Sequence, residues 1–194
     1  MTVSAYKIEQ IEGVDGIRYE YEFMEPAEDT LLALMKDLFE IHWPQIVFGP
    51  CIQGAVFEVR AIAPPKNITM LDGYLTVDFG DWHFHVCIGE HRGTKASPAP
   101  TALAQIRRVS KAVFFRSIGN TCAGGSWGFR MWNGANEQML TVFFPNPYLN
   151  EHFKPQKPDW TRLRLWNEMR QQYLPGAKEW SPEAYGADLK APAH

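Results

Sequence analysis

Cysteine is scarce in this sequence. The 194 residues include three cysteines, Cys51, Cys87 and Cys122, which are too few for a disulfide framework. Their spacing contains no Cys-x-x-Cys pair, so the common structural zinc modules are excluded. An odd number of cysteines is typical of a reducing compartment, and the first residues show no basic segment followed by an apolar run. We therefore expect a cytoplasmic protein without a secretory signal.

Long apolar runs and a large net charge are also missing. No stretch approaches the roughly 20 apolar residues that cross a bilayer, so no membrane segment is expected. A formal net charge of -3 argues against a broad nucleic-acid surface. Apolar residues make up 45% and charged residues 21%, a balance that predicts a folded globular protein. The expected partner is a small-molecule ligand or substrate, and the sequence leaves the oligomeric state open.

The distribution of apolar residues predicts an α+β domain. Two-residue alternation predicts strands at residues 16–23, 55–62, 82–88, 112–118, 127–132 and 139–144, and one more strand within residues 68–79. Helical spacing predicts about three helices, which begin at Asp29 or Thr30, at Thr101 and after Asp159. Because strands outnumber helices and follow one another directly, antiparallel pairing is favoured. We predict one domain over residues 1–180 and a loose tail over 181–194. The sheet of this domain is expected to be curved and antiparallel, and a partial barrel is one arrangement that such a sheet can adopt.

The strongest local pattern is a predicted hairpin. Gly80-Asp81 is typical of a two-residue turn, because glycine supplies the positive φ that such a turn requires. The resulting register pairs Asp78 with His83, Thr76 with His85 and Tyr74 with Cys87. Alternate apolar residues then face the core, and the polar residues share the opposite face. On that face the imidazoles of His83 and His85 project in parallel and can share one metal ion.

Two further residues compete to complete this metal site. If the alternation continues, His91 reaches the histidine face, whereas a bulge at Gly89 brings Glu90 there instead. Three histidines are typical of catalytic zinc, and two histidines with a carboxylate are typical of non-haem iron. Asp78 is either a further ligand or an acceptor that fixes an imidazole tautomer. The alternative is that the two strand histidines are structural residues on a wet sheet face.

The predicted function follows from this set of ligands. We expect one divalent transition metal ion, zinc or iron, bound by His83, His85, Asp78, and either Glu90 or His91. An open coordination position makes the ion a Lewis acid or oxygen activator, so a mononuclear metalloenzyme that acts on a small molecule is predicted. The string His83-x-His85-x4-Glu90 resembles part of the first cupin motif, and this resemblance implies a cupin-like site geometry.

A second hypothesis is a non-catalytic ligand-binding module. Arg130 and Trp132 share a strand face by alternation, and an indole beside a guanidinium suits a planar or carboxylated ligand. The cofactor in this hypothesis is a tetrapyrrole such as haem, with one histidine as axial ligand. In the metalloenzyme hypothesis, Arg130 or Arg60 holds an anionic group of the substrate.

A third hypothesis rests on Gly124-x-Ser126-x-Gly128. This pentapeptide resembles the nucleophile elbow of the α/β-hydrolases, and the resemblance implies a serine hydrolase with Ser126 as nucleophile. The elbow requires a strand immediately before it and a helix immediately after it. The sequence instead predicts a glycine-rich loop before the pentapeptide and a strand after it.

Overall fold

Antiparallel β-sheet makes up most of the regular structure. The computed structural model describes residues 7–13, 16–52, 54–118 and 124–185. The strands are β1 Lys7–Glu12, β2 Arg18–Met24, β3 Val47–Gly49, β4 Cys51–Ile52, β5 Ala55–Val56, β6 Asn67–Leu71, β7 Tyr74–Asp78, β8 His83–Cys87, β9 Val109–Ile118, β10 Trp127–Asn133 and β11 Gln138–Phe143. They form a six-stranded sheet in the order β1-β2-β9-β10-β11-β3, a two-stranded sheet β4-β5 and a three-stranded sheet β6-β7-β8. The six-stranded sheet is open.

Helices are fewer than strands in the described part of the chain. The α-helices are α1 Glu28–Lys36, α2 Thr101–Arg107, α3 Arg164–Tyr173 and the four-residue α4 Pro182–Tyr185. A π-helical turn, Asp37–Ile41, continues α1, and the 3-10 turns are Trp43–Gln45 and Trp160–Leu163. No helix in these ranges is long and apolar enough to cross a membrane. The α+β class with about three longer helices is therefore confirmed.

The contacts between residues divide the chain into two units. Unit 1 comprises the described parts of Met1–Met24, Val113–Phe129 and Phe143–His194. Unit 2 comprises the described parts of Glu25–Ala112 and Arg130–Val142. The predicted domain limit at residue 180 stays a prediction. Within the predicted tail, α4 is helical, and residues 186–194 lie outside the described residues.

In unit 1, β2 is buried on both faces. The apolar alternation predicts only one buried face, which carries Tyr19 and Tyr21, and both rings pack against Phe115. Glu20 and Glu22 on the opposite face are also buried. A buried carboxylate requires a partner of opposite charge, and each of these two has an arginine as that partner.

In unit 2, α1 buries an apolar stripe that its sequence predicts. Leu31, Leu34 and Met35 are fully buried. The expected N-cap at Asp29 or Thr30 is wrong, because the helix begins earlier, at Glu28, and Ala27 in the cap position makes no side-chain hydrogen bond. The acidic side chains of the first turn then interact favourably with the positive end of the helix dipole.

Two strand predictions in unit 2 differ from the structure, one because the strand is much shorter and one because the range contains an additional strand. Residues 55–62 form only the short β5 and an isolated bridge between Phe48 and Val59, and neither belongs to the sheet β6-β7-β8. Residues 68–79, which were expected to contain one strand, contain β7 and most of β6, because Asp72-Gly73 makes a tight turn between them. Asp72 has a φ of 50° and Gly73 a φ of 80°, as expected for a two-residue hairpin turn.

Candidate metal-binding site

The predicted hairpin register is confirmed. Asp78 pairs with His83, Thr76 with His85 and Tyr74 with Cys87. Gly80 has a φ of 97°, and its N–H donates to the carboxylate of Asp78 at 2.7 Å, which fixes the turn. Both histidines therefore lie on one face of β8, as the two-residue period requires.

The two faces of the hairpin differ in exposure. Leu75, Val77 and Val86 are buried on the inner face, whereas His83 and His85 are exposed on the outer face. Cys87 belongs to the outer row by alternation but is 2% exposed. Burial raises the pKa of its thiol, although the charges of Arg107 and Arg108 oppose this rise. Cys87 is thus a buried, protonated thiol.

The imidazoles of His83 and His85 are adjacent. Their ring centroids lie 4.9 Å apart, and the ring planes are inclined at 72°. The Oγ1 of Thr76 lies 2.7 Å from the Nδ1 of His85. This contact engages Nδ1, so Nε2 is the ring nitrogen of His85 that remains for another partner.

His91 lies away from this pair. Strand β8 ends at Cys87, since the N–H groups of the next two residues both donate to the carbonyl of Gly73, at 3.0 and 2.9 Å. The Nδ1 of His91 lies 2.8 Å from a carboxylate oxygen of Asp72, and its Nε2 lies 3.0 Å from a guanidinium nitrogen of Arg107. Arginine can only donate, so Nε2 accepts and the proton is on Nδ1, beside Asp72.

The carboxylate of Glu90 is also engaged elsewhere, by the guanidinium of Arg92. Its Oε2 accepts from the Nη2 of Arg92 at 2.7 Å and from Nε at 3.0 Å. Neither alternative for the third ligand, Glu90 or His91, is therefore brought to the histidine pair. Among the residues that the structure describes, no three His, Cys, Asp or Glu side chains cluster as ligands of one ion.

The loop 88–93 is held by the β6–β7 turn that the sequence interpretation did not include. The carboxylate of Asp72 accepts from the backbone N–H of Arg92 at 2.7 Å and from that of Gly93 at 3.0 Å. These bonds keep the pKa of Asp72 below its ordinary value, with the Arg92 N–H as the largest cause. The dipeptide Asp72-Gly73 between two alternating runs is a strong turn signal, and it would have revealed the turn, although not the hydrogen bonds from the loop 88–93.

Arg130 and Trp132 are close together, as the alternation in β10 predicts. The guanidinium carbon of Arg130 lies 5.8 Å from the centre of the Trp132 ring. The Nζ of Lys111, a residue that the sequence interpretation left out of the site, lies 4.0 Å from the same ring. The Nε of Arg130 donates to the Oγ1 of Thr141 at 3.0 Å.

The local structure at Ser126 differs from that of the nucleophile elbow that the pentapeptide resembles. Ser126 leads directly into β10 at Trp127, so the helix that an elbow requires after its nucleophile is replaced by a strand. The N–H of Ser126 donates to the Oγ of Ser117 at 2.7 Å, and its own hydroxyl lies 3.3 Å from the same atom. A serine hydrolase of this type would need Asp159 or Asp188 together with His194, and both Asp188 and His194 lie outside the described residues.

The fold and the site together define the class of this protein. It is an α+β protein with mainly antiparallel strands, and its candidate site is an exposed pair of histidines on a three-stranded sheet. The chain belongs to a family of unknown function, DUF7676, whose model matches residues 8–175. A search of the curated proteins finds no match.

Proposed function

We propose that His83 and His85 bind one divalent transition metal ion on the outer face of the hairpin. Two imidazoles that bind one tetrahedral ion, each through a nitrogen at about 2.1 Å, have ring centroids about 5 Å apart. The centroids of these two rings are 4.9 Å apart. This spacing carries the proposal, because both rings can reach one ion without a change in the backbone.

The donor set favours zinc over iron. Imidazole nitrogens suit Zn²⁺, Cu²⁺ and Ni²⁺, and the iron site of the facial type also needs a carboxylate ligand. Glu90 is held by Arg92, which leaves Asp78, opposite His83, as the candidate third ligand. One oxygen of Asp78 already accepts the N–H of Gly80, so it is a weaker candidate than either imidazole.

Two protein ligands leave coordination positions open. A tetrahedral ion held by two imidazoles has about two positions for water or a small molecule. An ion of this kind polarises a carbonyl or phosphoryl oxygen and lowers the pKa of bound water. The proposed activity is therefore metal-dependent chemistry on a small molecule that reaches the exposed face beside His83 and His85. A tetrapyrrole with one of these histidines as axial ligand is the alternative occupant.

Calorimetric titration of the tag-free protein with zinc chloride tests the metal proposal. We expect one ion per chain, with an affinity that falls at least roughly tenfold in His83→Ala/His85→Ala. His152→Ala is the matched control, because His152 is a well-exposed histidine outside the hairpin, and it should bind zinc as the parent does. Circular dichroism and urea unfolding of each variant show whether the fold is retained.

Two results would contradict the proposal. One is a parent protein that takes up neither zinc nor ferrous iron, and the other is a folded double variant with unchanged zinc affinity. Addition of haemin to the same samples tests whether a tetrapyrrole, rather than a metal ion, is the occupant of the site. A new visible absorption band that disappears in the double variant, without any zinc binding by the parent, would favour the tetrapyrrole.

A further inference from the structure

A cavity in unit 1 lies beside α3 and the segment that follows this helix. Its volume is about 500 Å³, which is within the range of small-molecule binding sites. The buried and half-buried residues that line it include Trp160, Leu163, Asn167 and Trp180. The cavity opens to solvent, because other residues of its lining are exposed, namely Thr161, Arg164, Glu168, Gln171, Glu179 and Glu183. A small molecule therefore has both space and access here.

Hydrogen bonds between Asn167 and Trp180 hold the walls of this cavity together. The side-chain oxygen of Asn167 accepts from the backbone N–H of Trp180 at 2.9 Å, and its amide nitrogen donates to the carbonyl of Trp180 at 2.9 Å. Arg170, three residues further along α3, donates to the same side-chain oxygen at 2.9 Å. Asn167 is buried, so these bonds are shielded from water. The segment around Trp180 is thus fixed against α3, and little ordering is needed when a ligand enters the cavity.

One indole of the lining is partly exposed. Trp160 is half-buried, and its ring contacts three other rings, at centroid distances of 6.4 Å for Trp127, 5.6 Å for Tyr148 and 5.8 Å for Trp180. These three side chains are themselves buried, so they support the Trp160 ring from the interior. The same ring belongs to the lining of the cavity. Indole is the aromatic group that attracts cations most strongly, so Trp160 is suited to contact a positively charged ligand.

The charged groups of the lining are mainly acidic. They comprise one guanidinium, that of Arg164, and three carboxylates, those of Glu168, Glu179 and Glu183. Arg164 pairs with Glu168, with an Nε–Oε1 distance of 3.5 Å. Within the described part of the chain, Glu179 and Glu183 form no ion pair. The lining therefore has a net negative charge, which attracts a cation and repels an anion.

We propose that this cavity binds a small organic cation, an aliphatic ammonium compound whose charged group lies against Trp160. An indole beside carboxylates recognises a positive charge on an apolar body, because the charge is attracted to both and the alkyl groups displace water from the ring. A quaternary ammonium group is favoured if the ring dominates, and a primary amine if hydrogen bonds to the carboxylates dominate. The site lies in unit 1 and does not depend on a metal ion at His83 and His85.

Two pairs of ligands test this proposal. Choline and butylamine carry the positive charge, and dimethylbutanol and butanol are their neutral counterparts of similar shape. Each is titrated into the full chain, and the seven indole N–H signals are followed by heteronuclear NMR. The signal of Trp160 is identified by its loss in Trp160→Phe. We expect this signal to shift saturably with at least one cation, and the neutral counterpart of that cation to bind roughly fivefold more weakly.

The preferred cation identifies the ligand class. Tighter binding of choline would indicate a quaternary ammonium ligand, and tighter binding of butylamine would indicate a primary amine. Trp160→Phe keeps an aromatic ring but attracts a cation less strongly, so it should lower the affinity for the preferred cation more than that for its neutral counterpart. Broadening of the ligand's own NMR signals measures both affinities without the indole signal.

Removal of two carboxylates tests the charge of the cavity. Glu179→Gln/Glu183→Gln should weaken binding of the cation roughly threefold to tenfold, because two exposed charges are lost. Glu12→Gln/Glu151→Gln is the matched control, since it removes two exposed carboxylates of unit 1 that do not line the cavity. This control should bind the cation as the parent protein does, and neither double variant should change the affinity for the neutral ligands. Thermal unfolding of each variant confirms that the fold is kept.

Three results would overturn the proposal. The first is a parent protein that binds neither cation. The second is binding of the neutral counterparts that is as tight as that of the cations, which would make the cavity an apolar site without charge recognition. The third is equal affinity of the two double variants for the cation, since the carboxylates of the lining would then have no part in binding.

Discussion

His85 and His91 differ in how many of their ring nitrogens are engaged. In His85, Nδ1 contacts the hydroxyl of Thr76, and Nε2 remains for another partner. In His91, Nδ1 contacts Asp72 and Nε2 contacts Arg107. A metal ion binds imidazole through a nitrogen that has no other partner, so His85 is suited to be a ligand. His91 is suited to link the loop after β8 to α2.

Removal of the Thr76 hydroxyl should weaken metal binding. Thr76→Val keeps the shape of the side chain but removes the contact that orients the His85 ring, and such outer contacts change metal affinity by roughly tenfold or more. The affinity for zinc, measured by calorimetry, should therefore fall by about tenfold. Thr69→Val is the control, because Thr69 is the exposed partner of Thr76 on β6 and should leave the affinity unchanged. Equal effects of the two substitutions would contradict this role of Thr76.

Asp72 should make the free energy of unfolding depend on pH in the acidic range. Its folded pKa is lowered by the Arg92 N–H, so the ionised carboxylate contributes stability above the unfolded pKa. This contribution is lost as the pH falls through the lower, folded pKa. We expect the free energy of unfolding to fall less steeply below about pH 4 in Asp72→Asn than in the parent protein.

Urea unfolding at a series of pH values measures this difference. Asparagine tolerates the positive φ of residue 72, so the substitution removes the charge without adding backbone strain. Identical slopes for the parent protein and Asp72→Asn would show that this carboxylate does not contribute to the acid dependence.

At the scale of elements, the histidine hairpin was predictable because each of its signals is local. A glycine at the turn and two alternating runs determine which residues pair. The same signal at Asp72-Gly73 predicts the β6–β7 turn, but the sequence interpretation placed only one strand within residues 68–79. The positions of Glu90 and His91 were not predictable, because they depend on hydrogen bonds to that distant turn rather than on continued alternation.

The β6–β7 turn should not accept a side chain at Gly73. A Cβ there would lie 2.6 Å from the carbonyl carbon of Glu90, in addition to the strain of a positive φ. Gly54 has a similar φ of 85° but no atom within 4 Å of the corresponding position. Gly54→Ala should therefore cost about 1 kcal/mol, from strain alone.

Gly73→Ala should cost roughly 1–3 kcal/mol more than Gly54→Ala, because backbone atoms must move apart. Urea unfolding of the two variants and of the parent protein gives both values. Equal losses would mean that the loop 88–93 moves away from the turn without cost, and that the close approach at Gly73 does not contribute to stability.

At the scale of the whole molecule, the sequence pattern shows the strands of unit 1 but not what covers them. The alternating pattern of β2 predicts that Glu22 is solvated. In the structure Glu22 is buried against Arg170, with an Nη2–Oε2 distance of 2.7 Å. Arg170 also lies 4.3 Å from the ring centre of Trp166 and donates to the side-chain oxygen of Asn167 at 2.9 Å. Long-range pairs of this kind have no local signal, so periodicity alone cannot reveal them.

Substitution of one member of this ion pair should be more damaging than replacement of both. Glu22→Gln leaves the Arg170 charge buried without its carboxylate, a change that costs about 3–5 kcal/mol in comparable sites. Glu22→Leu/Arg170→Met removes both charges and keeps apolar contact with Trp166, so it should lose less stability. Urea unfolding of both variants tests this. A double variant that is less stable than Glu22→Gln would contradict the expectation.

The Glu22–Arg170 pair also has a consequence for synthesis of the chain. The two residues are separated by 148 positions, and unit 1 is assembled from three segments that include both ends of the described chain. At ordinary rates of translation, roughly seven to thirty seconds pass between the appearance of Glu22 and that of α3. During that interval β2 carries two carboxylates whose native partners are absent or incompletely packed. Unit 1 can therefore be completed only after α3 has been made, whereas unit 2 needs no residue beyond Val142.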